Sequence, residues 1–424
     1  MGVIVLFLSF FVFIFVGSPI ALALGGSALI YIVLFANVSP LIVMQQILAS
    51  VNTYTLLAVP FFIMAGALME TGGISKRIVS FCQALVGHFT GGLALVVVLA
   101  SVFFAAMTGS GVAACAAVGG IMIPMVVKNG YHSDFACALQ ATSGIFGPLI
   151  PPSIVMVLYA VYANQSVSTM LMAGVGPGLM QAAMVCILAV WICHRRGYAG
   201  VGSFSMKRLL KEFGSSFWAL LAPVIILGGI YSGICTATEA SGVACFYSIL
   251  VGLFIYKEMN WKTMLECLGK AMKSTGNIML IVGASGAFSW VLTRERIASK
   301  LANTLLSITS SEVLFLIVVM LILLFLGCFI DSVPITTIMT PILAPIAMEY
   351  GVSLVHLGGI MVSATCIGLI TPPMGLNLFM AAQVGNRPIH AVIGAIKPFI
   401  LVTVIGLVLV AFIPPITTFL PGLL

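Results

Sequence analysis

The chain has 424 residues, 62% of them apolar and only 6% charged, where a soluble domain carries about 25% charge. A mean hydropathy of +1.25 holds along nearly the whole length, which excludes a cytosolic globule, a soluble enzyme on one anchor and a receptor with a large ectodomain. The 17 Lys and Arg and 10 Asp and Glu cluster at a few places and build no basic face, which argues against a nucleic-acid partner. At about 30 residues per crossing and connection, roughly a dozen crossings or half-crossings fit. The fold class expected is an all-α polytopic membrane protein.

In chain order, the first 16 residues form an apolar run followed by Ala21-Leu22-Ala23. No positively charged stretch precedes the run, so it reads as a retained helix and not as a signal peptide. The first basic residue is Lys76; Lys76-Arg77, like Arg294-Glu295-Arg296 further on, reads as a helix-end anchor. Apolar sequence is then interrupted at Thr108-Gly109-Ser110-Gly111 and again at Gly147-Pro148-Leu149-Ile150-Pro151-Pro152-Ser153. His194, Arg195, Arg196, Lys207, Arg208 and Lys211 crowd residues 194–215, read as a connecting loop that the positive-inside rule puts in the cytoplasm. That loop divides the chain into a first half, 1–193, and a second, 216–424. In Cys235-Thr236-Ala237-Thr238-Glu239-Ala240, either threonine can cap the helix that follows, and Glu239 favours its N-terminus by charge. Two further interruptions follow: Asp331-Ser332-Val333-Pro334 with Thr336 and Thr337, and Gly368-Leu369-Ile370-Thr371-Pro372-Pro373-Met374-Gly375-Leu376-Asn377.

The two halves match under a single shift of 221 residues. Pro124 falls on Pro345, Gly130 on Gly351, Gly147 on Gly368, Pro151-Pro152 on Pro372-Pro373 and Pro177 on Pro398, without a gap. One ungapped register carrying a Pro-Pro pair reads as an internal duplication, as transporter folds commonly have. The same register sets Lys128 on Glu349. Opposite charge in equivalent loops favours opposite sides of the membrane, an inverted repeat, over a parallel repeat with a chance substitution.

At the interruptions a continuous helix is untenable. Glycine weakens a helix interior, proline removes a donor and clashes with the preceding turn, and Ser, Thr and Asp offer the backbone competing bonds. The first interruption of each half suits the tip of a re-entrant hairpin, with Ser110 and Asp331 as tip residues. The Pro-Pro interruption leaves carbonyls that must be buried in protein or turned to a ligand. A lone proline kink is usually healed by its neighbours, but the matched pairs resemble the discontinuous helices of secondary transporters. Exposed carbonyls and hydroxyls suit Na⁺, and half-helix N-termini suit an anionic solute. Asp331 has two readings, a functional carboxylate at depth or an N-cap.

Nothing in the sequence points to covalent chemistry. The ten cysteines stand singly without C-x-x-C, the five histidines form no metal-binding spacing, and there is no phosphate-binding loop. The Met and Phe residues read as packing and lipid-facing side chains.

Several stretches together carry a family resemblance: Ala58-Val59-Pro60-Phe61-Phe62-Ile63-Met64-Ala65-Gly66, Gly72 to Ile78, Ile150-Pro151-Pro152-Ser153-Ile154, Ala173-Gly174-Val175-Gly176-Pro177-Gly178, Thr238-Glu239-Ala240 and Gly368 to Pro373. In this order, over about residues 1 to 420, the chain resembles the DctM-type large membrane subunit of TRAP (tripartite ATP-independent periplasmic) transporters. The resemblance implies a secondary transporter of the bacterial inner membrane importing organic acid anions, such as C4-dicarboxylates or sugar acids, on a Na⁺ gradient. It implies two inverted repeats, each with a re-entrant hairpin and a broken helix, working as an elevator. It also implies two partners, a small four-helix membrane subunit and a periplasmic solute-binding protein, and no organic cofactor. Carried over to these residues, it makes one Na⁺ site of Gly109, Ser110, Gly111, Gly147, Ile150 and Pro151, and another of Ser332, Thr336, Gly368, Thr371 and Gly375. Ser110, Ser153, Asp331, Thr337 and Asn377 would border the solute. The family often has proline where this chain has Ala237, which leaves the rigidity of that turn open. A channel or a cation-coupled transporter without a binding protein is the alternative, and an intramembrane enzyme lacks a convergent nucleophile, base or metal cluster.

Overall fold

The computed structural model describes residues 2–308 and 311–423. Among them every regular element is helical, and 8 helices are long and apolar enough to cross a membrane, or 9 if one bent pair is a single span. The first half runs α1 (Gly2–Phe15), α2 (Ile20–Phe35), α3 (Leu41–Val51), α4 (Ala58–Thr71), α5 (Ile74–Val86), α6 (Gly92–Thr108), α7 (Gly111–Lys128), α8 (Ser133–Ser143), α9 (Phe146–Leu149), α10 (Ile154–Tyr162) and α11 (Val167–Arg196). The second runs α12 (Met206–Tyr231), α13 (Ala237–Leu250), α14 (Trp261–Arg294), α15 (Ile297–Ile308), α16 (Glu312–Gly327), α17 (Ser332–Glu349), α18 (Leu354–Gly368), α19 (Leu376–Val384), α20 (Ile389–Phe412) and α21 (Pro415–Thr418).

The 221-residue register recurs in the helix bounds. Shifted by 221, α7 coincides with α17 at both ends, α8 starts where α18 starts, and α10 falls within one residue of α19. The residues that start these helices do so by ordinary capping: the side chains of Ser110, Ser153 and Asp331 accept hydrogen bonds from the first turns of α7, α10 and α17. At α13, Thr236 and Glu239 form a complete capping box, with the Thr236 N–H donating to Glu239 Oε2 at 2.8 Å. Glu239 is thus a capping residue, and the helix start is held although Ala237 stands where proline would also fit.

The stretch 194–215, expected as a loop, is mostly helix. His194 to Arg196 close α11 and Lys207 to Lys211 open α12, leaving residues 197–205 irregular. Cations in the last turn of α11 complement the carbonyl end of that helix, while Ser205 caps α12. This basic end of the molecule also receives the first hairpin. Gly91 N donates to Tyr198 O, Val201 N to Gly87 O, and His132 N to Tyr198 Oη, so α6 leaves from it and α7 returns to it.

Equivalent helices begin at opposite ends of α20. Asp134, in the first turn of α8, accepts from Arg387 Nε at 2.6 Å, just before α20 starts. His356, in the first turn of α18, meets Ala411 O at 3.1 Å and Thr417 Oγ1 at 2.7 Å, at and beyond the far end. Twenty-four residues of helix separate the two contacts by about 36 Å. The packing is also reciprocal: α10 lies on α17 and α19 on α7, α11 on α18 and α20 on α8. Around this unit, α1–α4 and α12–α14 interlock, with α14 on α2, α3 and α4, and α13 on α4.

Where α11 crosses α20, a side-chain amide is seated on a glycine. Gln181 is fully buried, its Nε2 donates to Thr403 O at 3.0 Å, and a Cβ on Gly406 would fall 2.6 Å from that amide. Gly406→Val is expected to lower stability by about 1–3 kcal/mol through overpacking, read as a drop in melting temperature of the detergent-solubilised protein.

Candidate functional site

The hairpin tips and helix breaks expected from the sequence form, and in each half tip and break lie against one another. In the first half the chain turns between α6 and α7 at Gly109, whose φ of +62° suits glycine. A Cβ there would collide with Pro152 O, and one on Gly147 would collide with the Ser110 carbonyl carbon. Backbone therefore rests on backbone: Gly109 meets Pro152 and Ile154, and Ser110 and Gly111 meet Gly147. In the second half the turn spans residues 328–331. A Cβ on Gly327 would stand 2.9 Å from Gly368 Cα, and Met374 N donates to Cys328 O at 3.2 Å.

Both Pro-Pro bonds, Pro151-Pro152 and Pro372-Pro373, are cis. The carbonyls of Ile150, Pro151 and Pro152, and of Thr371, Pro372 and Pro373, accept no backbone hydrogen bond. At the second break a Cβ on Gly375 would lie 3.1 Å from Thr371 O and 2.9 Å from Leu369 O, the latter already accepting from Asn377 N. These are carbonyl oxygens of the kind a hard cation takes up.

The side chains divide into those already used locally and those left open. Ser153 Oγ accepts from Met156 N and donates to Pro148 O; Thr371 Oγ1 donates to Ile367 O. Asp331 accepts from the N–H and hydroxyl of Ser332, at 2.6 and 3.2 Å, so its N-cap role is realised. Thr337 is turned to α14, accepting from Ser285 Oγ at 3.0 Å. It lies inside α17 with Thr336, since that helix already starts at Ser332 and the tip is shorter than the 331–337 expected. Thr336 Oγ1 and both amide atoms of Asn377, each in a fully buried residue, have no hydrogen-bond partner among the described residues. Asn377 does not join the second tip. It reaches the first half, where Cβ atoms on Gly111 and Gly144 would be 3.2 and 2.7 Å from its Nδ2 and its backbone carbonyl accepts from Cys115 Sγ. A buried unpaired amide costs about 1–3 kcal/mol, so an occupant that satisfies it would bind there with that much in reserve.

Ser110 also faces a cavity of about 690 Å³ between the first tip, α4 and α14. Its far walls carry Glu70, Thr71, Thr263, Glu266, Lys270 and Ser274, none of them singled out from the sequence. The signal was present as Thr263, Cys267, Lys270 and Ser274, a polar row at helical spacing on one face of α14. The cavity is framed by the end of α4 and the first half of α14. This places it on the basic-end side of the tip.

Known proteins locate this architecture. The family model for the tripartite ATP-independent periplasmic transporter, DctM component, matches residues 7–416. The chain is 40% identical to the C4-dicarboxylate TRAP transporter large permease protein DctM of Pseudomonas aeruginosa, over 94% of both chains. It is 36% identical to the sialic acid TRAP transporter large permease protein SiaM of Vibrio cholerae, over 97% of this chain and 96% of that one. It is also 36% identical to the 2,3-diketo-L-gulonate TRAP transporter large permease protein YiaN of Escherichia coli, over 94% of both. In fold, it is similar to the YdaH transporter of Alcanivorax borkumensis, whose crystal structure is described as having an unusual topology, with a TM-score of 0.63 at 15% identity over 87% and 86% of the two chains.

Replacing the unpaired amide by an apolar side chain of similar size tests whether it is retained for stability. Asn377→Leu is expected to melt at or above the wild-type temperature in the absence of solute and sodium, because it removes two unsatisfied buried atoms.

Proposed function

The chain belongs to the DctM component family of tripartite ATP-independent periplasmic transporters, and on that premise we propose that it is the large permease of an importer that couples uptake of an organic acid anion to a Na⁺ gradient. It is a multi-pass membrane transport protein and not an enzyme. The observation that supports the coupling is that carbonyls without a backbone hydrogen bond lie in breaks packed against the hairpin tips; on this reading Gly109, Ser110, Gly111, Gly147, Ile150 and Pro151 would surround one cation and Ser332, Thr336, Gly368, Thr371 and Gly375 a second. Oxygen-only surroundings without a cluster of acids suit Na⁺ better than a divalent ion.

The solute is an organic acid of the class carried by the relatives, which are named for C4-dicarboxylate, sialic acid and diketogulonate. Ser110, Ser153, Asp331, Thr337 and Asn377 were the residues expected to border it. The orphaned Asn377 amide and Ser110, open to the cavity, best support that role, since an acid anion brings acceptors and the α7 N-terminus brings partial positive charge. Ser153 and Thr337 act at one remove, by holding the ends and faces of the helices that carry the site.

Alternating access by an elevator is supported by two features. The hairpins, breaks and α11 and α20 pack reciprocally into one unit, and the large cavity leaves that unit's boundary with α4 and α14 open on one side. An inverted relation between the halves is supported by α8 and α18 beginning at opposite ends of α20. On the positive-inside rule the basic end is cytoplasmic, so the cavity is the inward vestibule. We further propose, from the family, a small four-helix membrane subunit and a periplasmic solute-binding protein as partners, and the bacterial inner membrane as location.

Two substitutions test the site in proteoliposomes supplied with the partners and an inward Na⁺ gradient. Asparagine caps a helix as well as aspartate, so Asp331→Asn removes the charge and keeps α17 capped. Ser110→Ala removes one tip hydroxyl. Each is expected to lower the initial rate of organic acid uptake by at least about tenfold while insertion and assembly persist. Wild-type rates in both would return Asp331 and Ser110 to a structural role, and wild-type uptake that is unchanged when the Na⁺ gradient is abolished would sink the coupling.

A further inference from the structure

A pocket of about 470 Å³ opens where the end of α14, the start of α15 and the returning arm of the second hairpin, α17, meet. Leu292, Pro341 and Ile342 make it apolar on one side, while Thr293, Arg296 and Ser299 line the other. The charged residues around this joint are engaged, with one exception. Arg294 donates to Ala36 O at 2.6 Å and lies over the Trp290 ring, and Glu295 pairs with Lys300 at 3.8 Å and accepts from Tyr31. Arg296 is the one charged residue lining the pocket, and its side chain has no ion pair, hydrogen bond or ring contact among the described residues. Its φ of +52° is a conformation that favours glycine, so arginine stands here against a backbone preference.

The other half shows the same joint with an acid supplied. Shifted by 221 residues, Leu292, Arg296 and Ile342 become Thr71, Ser75 and Ile121, which line a smaller pocket of about 150 Å³ at the α4–α5 joint. The cations there, Arg77 and Lys76, are met by Glu258 from the loop before α14, at 2.7 and 3.8 Å. The Glu258 carboxylate is seated on Gly73, where a Cβ would overlap it. In the second half Asn37 stands at the position of Glu258. The second joint therefore keeps a cation and a larger pocket, and its chain supplies no carboxylate to them. It also lies away from the basic end, since α17 runs from the second tip towards α18, whose His356 meets the far end of α20. On the orientation proposed above this is the outer side, where basic residues are disfavoured unless they have work to do.

We propose that this pocket is an outer anion site, in which Arg296 and the Ser299 hydroxyl take the carboxylate of the incoming organic acid and the apolar wall takes its carbon skeleton. A guanidinium matches a carboxylate with two parallel hydrogen bonds, and the first turn of α15, which starts at Ile297, adds partial positive charge. The proposal rests on the importer reading for the class of solute, and on neither of the sodium sites.

Ser299→Cys, at an exposed position, tests it by reaction rate in the purified full-length chain held in phosphatidylcholine nanodiscs. The ten native cysteines are buried or half-buried, and the wild-type chain gives their background. The rate with an anionic methanethiosulfonate relative to a cationic one, normalised to a small thiol in solution, is expected to fall about tenfold when Arg296→Gln is added. Millimolar succinate or gluconate is expected to slow the anionic reagent only while Arg296 is present. A rate ratio unmoved by Arg296→Gln, or no slowing by either acid, overturns the site. Shielding by phosphatidylglycerol with none by either acid assigns Arg296 to lipid headgroups and overturns it equally. The measurement needs no sodium and no partner, so its failure leaves the importer reading standing, and sodium-independent uptake would leave this site untouched.

Discussion

A peptide group without a hydrogen-bond partner is hardly tolerable at membrane depth. This chain breaks its helices there four times, at two turns and two Pro-Pro junctions. The rest of the architecture follows from how those breaks are covered. Each turn is laid against a break of its own half so closely that only glycine fits at the contact, as at Gly109, Gly147, Gly327 and Gly368. The carbonyls left over at Ile150 to Pro152 and Thr371 to Pro373 are what the arrangement has available for ligands.

Covering the breaks within each half leaves the helices after them, α10 and α19, to find partners. They find them in the other half, on α17 and α7. The exchange brings Asn377 to the first hairpin and explains why its amide ends between Gly111 and Gly144 and away from the second tip. It also makes the two halves one mechanical object, with α11 and α20 crossing at Gln181 and Gly406 and with Asp134 and Arg387 pinning one end. The outer helices are fastened separately, at Glu258 on Gly73 and Arg77, and through Glu295 with Tyr31 and Arg294 with Ala36 O.

Much of this was legible from residue types alone. Glycine and proline act locally, so their positions predict the first turn, both Pro-Pro junctions and the register that equates α7 with α17 to the residue, whereas the second turn falls at residues 328–331, with Pro334, Thr336 and Thr337 inside α17. Capping is local too, and the Thr236–Glu239 box could be read from spacing. Three things were not legible. The basic stretch 194–215 suggests a loop because charge in so apolar a chain stands out, yet cations also belong in a last helical turn, and only residues 197–205 are irregular. The direction in which Thr337 points depends on α14, whose Ser285 is 52 residues away. The charged lining of the large cavity lies on α4 and α14, and the polar row on α14 becomes a cavity wall only where α4 and the hairpin tip face it.

The exchange between halves has a consequence for the order in which the protein is made. Cys115, on the face of α7 that α19 covers, waits for Asn377, which is synthesised 262 residues later. Through most of translation the first hairpin is in the bilayer with its polar tip and small-residue flank lacking their final neighbour. Its insertion must therefore be held by its own pairing of α6 with α7 and α9, and assembly is completed from the C-terminal end backwards. A protein of this design is exposed to misassembly for most of its synthesis, because the duplication offers the first hairpin a wrong helix, α10 in place of α19, before the right one has been made.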